Sequence, residues 1–167
     1  ELRPQLLDRF GMSVEVRTVR DPELRVQVVD QRTAFDTDPD GFSTAVEANQ
    51  DALQQRVVEA QQRLSAVTID DDLRLRISAV CGELDVDGLR GDIVTNRAAR
   101  ALAAFESRTE VSEEDVARVA SCCLRHRLRK DPLEQVDSGD RVVKVFCKVF
   151  ERSESSDRAD FELALAA

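Results

Sequence analysis

The chain has 167 residues, of which 42% are hydrophobic and 34% are charged, which suits an ordinary folded domain. Its formal net charge of -9 at pH 7 argues against a nucleic-acid or anionic-membrane partner, because both require clustered Lys and Arg. The sequence contains no apolar run long enough to span a membrane.

Residues 1–20 differ in pattern from the rest of the chain. A short helix is predicted over residues 2–10, closing at Gly11, and the alternation of polar and apolar residues over 13–17 predicts a strand. Because one strand is unstable alone, we assign residues 1–20 to the end of a sheet domain whose other strands precede it. The first residues also lack a Met start, so we expect the chain to be trimmed from a longer one.

Helical patterns begin at Asp21, which is predicted as an N-cap with Pro22 at the first helical position. Three apolar residues share one face of this helix: Leu24, Val28 and Phe35. The run Asp-Pro-Asp-Gly at 38–41 predicts a break. A second helix is predicted over about residues 42–64, with a narrow apolar stripe typical of a helix that projects or packs lightly.

The third and fourth helices are predicted after residue 70. The acidic residues 70–72 favour the start of a helix, and we prefer this reading to a metal site. The apolar face of the third helix is Leu73, Ile77, Val80, Cys81 and Leu84. A fourth, alanine-rich helix opens at residues 88–92 and runs to about Glu106, and Gly88 and Gly91 are predicted to leave room for a phosphate.

Ser112 and the acidic residues after it predict a capping box at the start of a fifth helix. That helix is predicted to end in the basic run 125–130, where His126 and its neighbours complement the helix dipole. Residues 141–150 fit a helix better than a strand, although both remain open. The tail, 151–167, is predicted to be disordered.

These patterns predict a mainly α fold. We expect a bundle of four or five helices over residues 21–150, preceded by the short helix and strand of residues 1–20. The four cysteines, at 81, 122, 123 and 147, form no CxxC pair and are accompanied by a single His, so neither a zinc site nor any other metal site is predicted.

Two arginines are candidate phosphate ligands. Arg9 lies at the end of the first short helix, where its side chain can project toward a neighbouring subunit. Arg90 lies in the first turn of the fourth helix, where unfilled backbone N–H groups already favour an anion. Arg at a helix end is more often a surface residue or a carboxylate partner, so position alone does not assign either of them a function.

Three motifs resemble a known family. They are Glu-Leu-Arg-Pro-Gln-Leu-Leu-Asp-Arg-Phe-Gly at 1–11, Asp-Val-Asp-Gly-Leu-Arg-Gly-Asp at 85–92 and Leu-Arg-His-Arg-Leu-Arg-Lys-Asp-Pro-Leu at 124–133. In this order they resemble the segment after sensor 1, the sensor 2 segment and the closing motif of the magnesium chelatase ATPase subunits (I subunits), which belong to the AAA+ class. The resemblance covers residues 1–150.

The resemblance implies a helical AAA+ lid domain that follows the end of the α/β nucleotide-binding core. It implies that Arg9 is the arginine finger, acting in trans on ATP held by the neighbouring subunit, and that Arg90 is the sensor 2 residue, acting in cis. The implied activity is ATP-driven insertion of Mg²⁺ into protoporphyrin IX for chlorophyll synthesis. The implied partners are further copies in a hexameric ring and the other two chelatase subunits.

Two further expectations follow from the family. Because the GxxxxGK[ST] loop, the acidic strand and sensor 1 are absent from these residues, the chain alone is expected neither to bind ATP and Mg²⁺ tightly nor to hydrolyse ATP. Plastid members are regarded as thioredoxin targets, which implies a disulfide between Cys81 and Cys123 and a chloroplast stroma location, with the bacterial cytoplasm as alternative. The other reading of both cysteines is that of small buried hydrophobic residues.

Two rival functions remain open at this stage. One is a related AAA+ remodelling ATPase that acts on another client. The other is a non-enzymatic helical module that binds a protein partner and uses cysteine oxidation as a switch, in which case Arg9 and Arg90 would be dispensable.

Overall fold

The structure is a computed structural model that describes residues 4–14, 16, 18–128 and 138–151. Within these residues the regular secondary structure is helical, apart from one isolated parallel bridge between Thr68 and Glu110. The helices are α1 (Pro4–Leu7), α2 (Pro22–Thr37), α3 (Pro39–Arg63), α4 (Asp71–Glu83), α5 (Arg90–Phe105), α6 (Glu113–Leu124) and α7 (Ser138–Phe150), with 3-10 turns at Leu64–Ala66 and Arg125–Arg127. The predicted mainly α fold is confirmed.

Helices α4 to α7 form a bundle around one buried core. α5 packs most extensively on α6, α4 packs on α5 and α7, and α6 packs on α7. Three alanines of α5 are at most 1% exposed: Ala99, Ala103 and Ala104. Their small side chains let the neighbouring elements approach α5 closely. Phe146 of α7 is fully buried and stacks on Phe150, with ring centroids 4.1 Å apart.

The predicted helix starts carry the predicted caps. The Asp70 carboxylate accepts a 3.0 Å hydrogen bond from the Asp72 backbone N–H, so this acidic run serves α4 as a cap. At the start of α6, Ser112 and Asp115 form a capping box. The buried Asp115 carboxylate also accepts hydrogen bonds from Arg108. Burial alone would raise the pKa of Asp115, but the hydrogen bonds from Arg108 and Ser112 together outweigh burial and lower it.

The structure corrects several predicted boundaries. Residues 13, 14 and 16, the described part of the predicted strand, are not in a strand, and the Ser13 N–H instead donates to the Cys122 carbonyl at 2.8 Å. α3 begins three residues earlier than predicted, because Pro39 suits a first helical position and the Asp38 side chain accepts from the Gly41 N–H at 3.0 Å. The α-helical part of the fifth helix ends at Leu124 rather than in the basic run.

Two further predictions have different outcomes. Residues 141–150 are helical, as favoured, within the longer α7. The predicted disordered tail, 151–167, lies outside the described residues except for Glu151.

Residues 15–59 form a separate compact unit that contains α2 and most of α3. Asp21 caps α2 as predicted, accepting from the N–H groups of Glu23 and Leu24 at 2.8 and 3.0 Å. Neither α2 nor α3 contains a buried residue. The predicted apolar face of α2 is accordingly solvent-exposed, with Phe35 contacting Phe42 edge to face at a centroid distance of 5.8 Å.

Candidate functional site

The segment that carries Arg9 is fastened to the end of α6 by one buried arginine. The Arg127 side chain is 1% exposed, and its Nε donates to the Cys123 carbonyl at 2.9 Å, as expected of an arginine that follows a helix. Its Nη1 donates to the Asp8 carbonyl at 2.7 Å and to the Asp8 carboxylate at 2.5 Å. Its Nη2 donates to the carbonyls of Phe10 and Gly11 at 2.7 and 3.3 Å.

His126 contributes a second donor to the same segment. Its Nε2 lies 3.1 Å from the Phe10 carbonyl, which can only accept, so the proton sits on Nε2. Burial lowers the pKa of His126, and the adjacent Arg127 lowers it further. The ring is therefore neutral at pH 7, and its hydrogen bond to Phe10 does not depend on a charge.

Arg90 opens α5 and faces the same segment. Its Nη1 donates to the Asp8 carbonyl at 3.1 Å and lies 3.2 Å from the Asp8 Oδ2. The Asp8 carboxylate thus pairs with two arginines, through Oδ1 with Arg127 and through Oδ2 with Arg90. Because the Arg90 and Asp8 side chains are each more than 40% exposed, their ion pair is of the weak surface kind.

Arg9 and Arg90 line one pocket of about 620 Å³, between the 8–11 segment and the first two turns of α5. The other residues that line it are Asp8, Gly11, Asp87, Gly88, Leu89, Ile93, Val94 and Arg97. Arg9 is exposed, and none of the described residues pairs with its guanidinium. Three arginines and the open first turn of α5, where Leu89 provides no side-chain cap, suit a polyphosphate ligand.

The two predicted arginines are therefore brought together, but one predicted glycine has another role. Gly88 has a positive φ of 69° and open space around it. Gly91 is buried instead: a Cβ there would come within 3.0 Å of Val86, 3.2 Å of Leu124 and 3.4 Å of Cys81. Its small size lets α5 approach the core, and it does not shape the pocket.

Three residues of the site were missed by the sequence analysis. Arg97 had a local signal, since it lies seven residues after Arg90 and thus on the same helical face. Asp8 and Arg127 had none, because their significance comes from a contact between segments 119 residues apart.

Cys81 and Cys123 lie in the same hydrophobic core and are free thiols in this structure. Burial raises the pKa of each to about 12, and the Asp92 carboxylate adds to the effect on Cys81. The negative charge on ionised Cys123 further raises the pKa of Cys81, as expected of neighbouring thiols. Neither thiol is therefore ionised to a useful degree at neutral pH.

Neither a metal site nor a membrane span is present in the described residues. No group of three or more His, Cys, Asp or Glu side chains converges there. In the same part of the chain, no helix combines the length and apolar character needed to cross a bilayer.

Comparison with known proteins gives a matching domain family and several similar proteins. Residues 74–145 match the AAA lid domain family. The chain is 65% identical over 150 residues to "Magnesium-chelatase subunit ChlI" of Synechocystis sp., which covers 90% of the chain and 42% of that relative. The protein of the same name from Porphyra purpurea is 62% identical over 154 residues, covering 92% and 43%. The chloroplastic one from Chlamydomonas reinhardtii is 59% identical over 150 residues, covering 90% and 36%.

One solved structure supports the fold. A protein of Cytophaga hutchinsonii, described as a candidate ATPase, superposes with a TM-score of 0.66 at 19% identity, covering 89% of this chain and 48% of that one. At this identity the likeness concerns the fold alone. The chain spans less than half the length of the three chelatase relatives named above.

Proposed function

Because the chain belongs to the family of magnesium-chelatase subunit ChlI and contains an AAA lid domain, we propose that it serves the motor of a magnesium chelatase. In this function, ATP hydrolysis in a ring of subunits drives insertion of Mg²⁺ into protoporphyrin IX for chlorophyll synthesis. The observation that carries the proposal is the pocket lined by Arg9, Arg90 and Arg97.

Arg9 acts in trans as the arginine finger. Its exposed guanidinium, which no described residue pairs, is available to the γ-phosphate of ATP held by the neighbouring subunit. A guanidinium placed there stabilises the charge of the transition state and contributes roughly 10³ to 10⁵ in rate. Finger removal is therefore expected to abolish turnover while folding is preserved.

Arg90 acts in cis as the sensor of ATP bound to its own subunit. Its surface pair with Asp8 is weak enough for a γ-phosphate to replace the carboxylate. Because Arg90 belongs to the bundle through α5, exchange between phosphate and Asp8 couples hydrolysis to movement of the lid. ATP and its Mg²⁺ are bound chiefly by the nucleotide-binding core, so this chain alone neither binds them tightly nor hydrolyses ATP.

The proposed chelatase motor also implies an assembly and a location. Because residues 74–145 match the AAA lid domain family, we propose a hexameric ring that works with the other two chelatase subunits. The proposed location is the chloroplast stroma, since the Chlamydomonas relative is described as chloroplastic, with the bacterial cytoplasm as the alternative suggested by the Synechocystis relative.

The test is a chimaera in which this chain replaces the matching segment of the Synechocystis relative. Arg9→Ala should lower ATP turnover by about 10³-fold or more, and Arg90→Ala should also lower it, whereas Arg74→Ala, which removes an exposed partner of Asp71 on α4, should not. Parental turnover in Arg9→Ala would contradict the proposal. Turnover without Mg²⁺ insertion in the presence of the other two subunits would favour a related remodelling ATPase.

Mixed rings test the trans and cis assignments. In rings assembled from equal amounts of Arg9→Ala and Arg90→Ala chimaeras, about a quarter of the interfaces combine an intact finger with an intact sensor by random assortment. Part of the turnover should therefore return. Absence of recovery would show that Arg9 and Arg90 of one subunit act at the same nucleotide site, and it would contradict the assignment of Arg9 in trans and Arg90 in cis.

A second candidate function is redox control through Cys81 and Cys123, with thioredoxin as the reductant. It is favoured by the location of both thiols in one core, where a disulfide would join α4 to α6 close to Arg90. Their raised pKa values predict slow oxidation that requires local opening. Mass spectrometry of the oxidised chain should find the Cys81–Cys123 crosslink in the parent and in Cys122→Ser, but not in Cys123→Ser. Free thiols at both positions would exclude this control.

A further inference from the structure

We propose that Arg127 is the positioning residue of the arginine finger, a role that rests on the function proposed for Arg9. Arg127 touches neither nucleotide nor neighbouring subunit in this proposal. It fixes the backbone from which Arg9 projects, through hydrogen bonds that bracket Arg9 on both sides.

The bracket is formed by the carbonyls of the two residues that flank Arg9, Asp8 and Phe10. Arg127 donates to the Asp8 carbonyl at 2.7 Å and to the Phe10 carbonyl at 2.7 Å. The planar guanidinium directs its donors in fixed directions, so hydrogen bonds to the carbonyls of both flanking residues restrict the position of the Arg9 Cα. Contacts with the Asp8 carboxylate and the Gly11 carbonyl complete the arrangement.

Side-chain packing does not hold this segment in place. Phe10 is 55% exposed and Met12 is 49% exposed, so neither anchors the segment in the core. A helix-capping arginine would need only the Cys123 carbonyl, yet four of the five hydrogen bonds of Arg127 go to residues 8–11. The burial of this charge is therefore explained by the segment that it holds.

Displacement of the arginine finger should lower kcat more than it changes KM for ATP. Arg127→Lys keeps the charge but replaces the planar fork by one ammonium, which cannot reproduce the bracket. Since misplacement of a catalytic group by about 1 Å can cost about 10²-fold, kcat in the chimaera should fall about ten- to a hundredfold. KM for ATP should change by less than about twofold, because the finger acts chiefly in the transition state.

Arg108→Lys is the matched control. Arg108 pairs with the buried Asp115 at the start of α6, so this arginine supports the same helix at its other end without contacting residues 8–11. Its replacement should lower the melting temperature and leave kcat near the parental value. An equal fall of kcat in both variants at equal loss of stability would overturn the positioning role.

A double-mutant cycle separates action through the finger from independent action. If Arg127 works through Arg9, then adding Arg127→Lys to Arg9→Lys should change kcat by less than about twofold. Multiplication of the two losses would overturn the proposal. Parental turnover in Arg9→Lys and Arg9→Ala alike would instead show that the finger function itself is wrong, whatever Arg127 does.

Arg127→Gln, whose two N–H donors sit on one nitrogen of a shorter side chain and cannot form the bracket, replaces the lysine variant if the latter does not form rings, as judged by circular dichroism and sedimentation. A folded Arg127→Gln ring with parental kcat would overturn the proposal. Failure of both variants to fold would also overturn it, because Arg127 would then support the structure as a whole.

Discussion

In the bundle, the apolar faces of the helices are hidden from solvent, whereas in residues 15–59 they are open to it. Ile77 of α4 is 1% exposed, but Leu53 of α3 is 46% exposed and Val28 of α2 is 57% exposed. Both regions contain apolar residues at helical spacing and well-defined caps. The difference teaches that spacing and caps specify a helix, while burial is decided by whether several helices share a core.

The largest expected difference between the two regions concerns ion pairs. Asp115→Ala removes a buried carboxylate that pairs with Arg108 and completes the capping box, so it should lower the free energy of unfolding by about 3 kcal/mol. Asp36→Ala removes an exposed partner of Arg32 on α2 and should cost at most about 0.5 kcal/mol. Urea unfolding followed by circular dichroism measures both values, and similar losses would remove the distinction between the regions.

Truncating apolar side chains in the two regions should give a second, somewhat smaller difference in the free energy of unfolding. Ile77→Ala leaves a cavity in the bundle and should cost about 2 to 3 kcal/mol. Leu53→Ala removes a side chain that is already half exposed, and Ala favours helix, so the change should stay within about 0.5 kcal/mol. If Leu53→Ala cost as much free energy of unfolding as Ile77→Ala, α3 would have to be covered by something else in solution.

The smallest expected effect is a pH dependence at the bundle's edge. Burial lowers the pKa of His126 in the folded state. Arg127 and Arg125 lower it further, against the hydrogen bond to Phe10 and the charge of Asp8, which raise it. The unfolded chain therefore binds more protons below pH 6.5, and stability that is present above this pH should decline as the pH falls toward the folded-state pKa.

His126 is the only histidine, so its proton NMR titration is unambiguous. The midpoint should lie below 6.5, and His126→Gln, which keeps an N–H donor, should remove this part of the pH dependence. A midpoint at or above the ordinary value would contradict the environment described for the ring.

Sequence patterns predicted most of the helices because their signals are local. Asp21, Asp70 and Ser112 are caps whose partners lie within three residues. The predicted strand at 13–17 failed at its described residues, since alternation permits a strand but pairing must come from elsewhere.

Much of the candidate site was less accessible to sequence analysis. The resemblance selected Arg9 and Arg90, and the structure places both on one pocket, but their roles stay proposals. Arg127 was assigned to a helix dipole because its partners at residues 8–11 are remote in sequence. Gly91 was assigned to a phosphate for the same reason, since Val86 and Leu124 are identified as its neighbours only by the packing of helices.

The two oxygens of the Asp8 carboxylate pair with different arginines, one buried and one half exposed to water. Arg127 at Oδ1 is hidden, so that bond persists while the bundle is intact, whereas Arg90 at Oδ2 is half exposed and exchangeable. Departure of Arg90 would thus leave the chain tethered at Asp8. The Asp8 side chain thus joins one buried ion pair that holds the backbone to one exposed ion pair, which the proposed function assigns to the response to ATP.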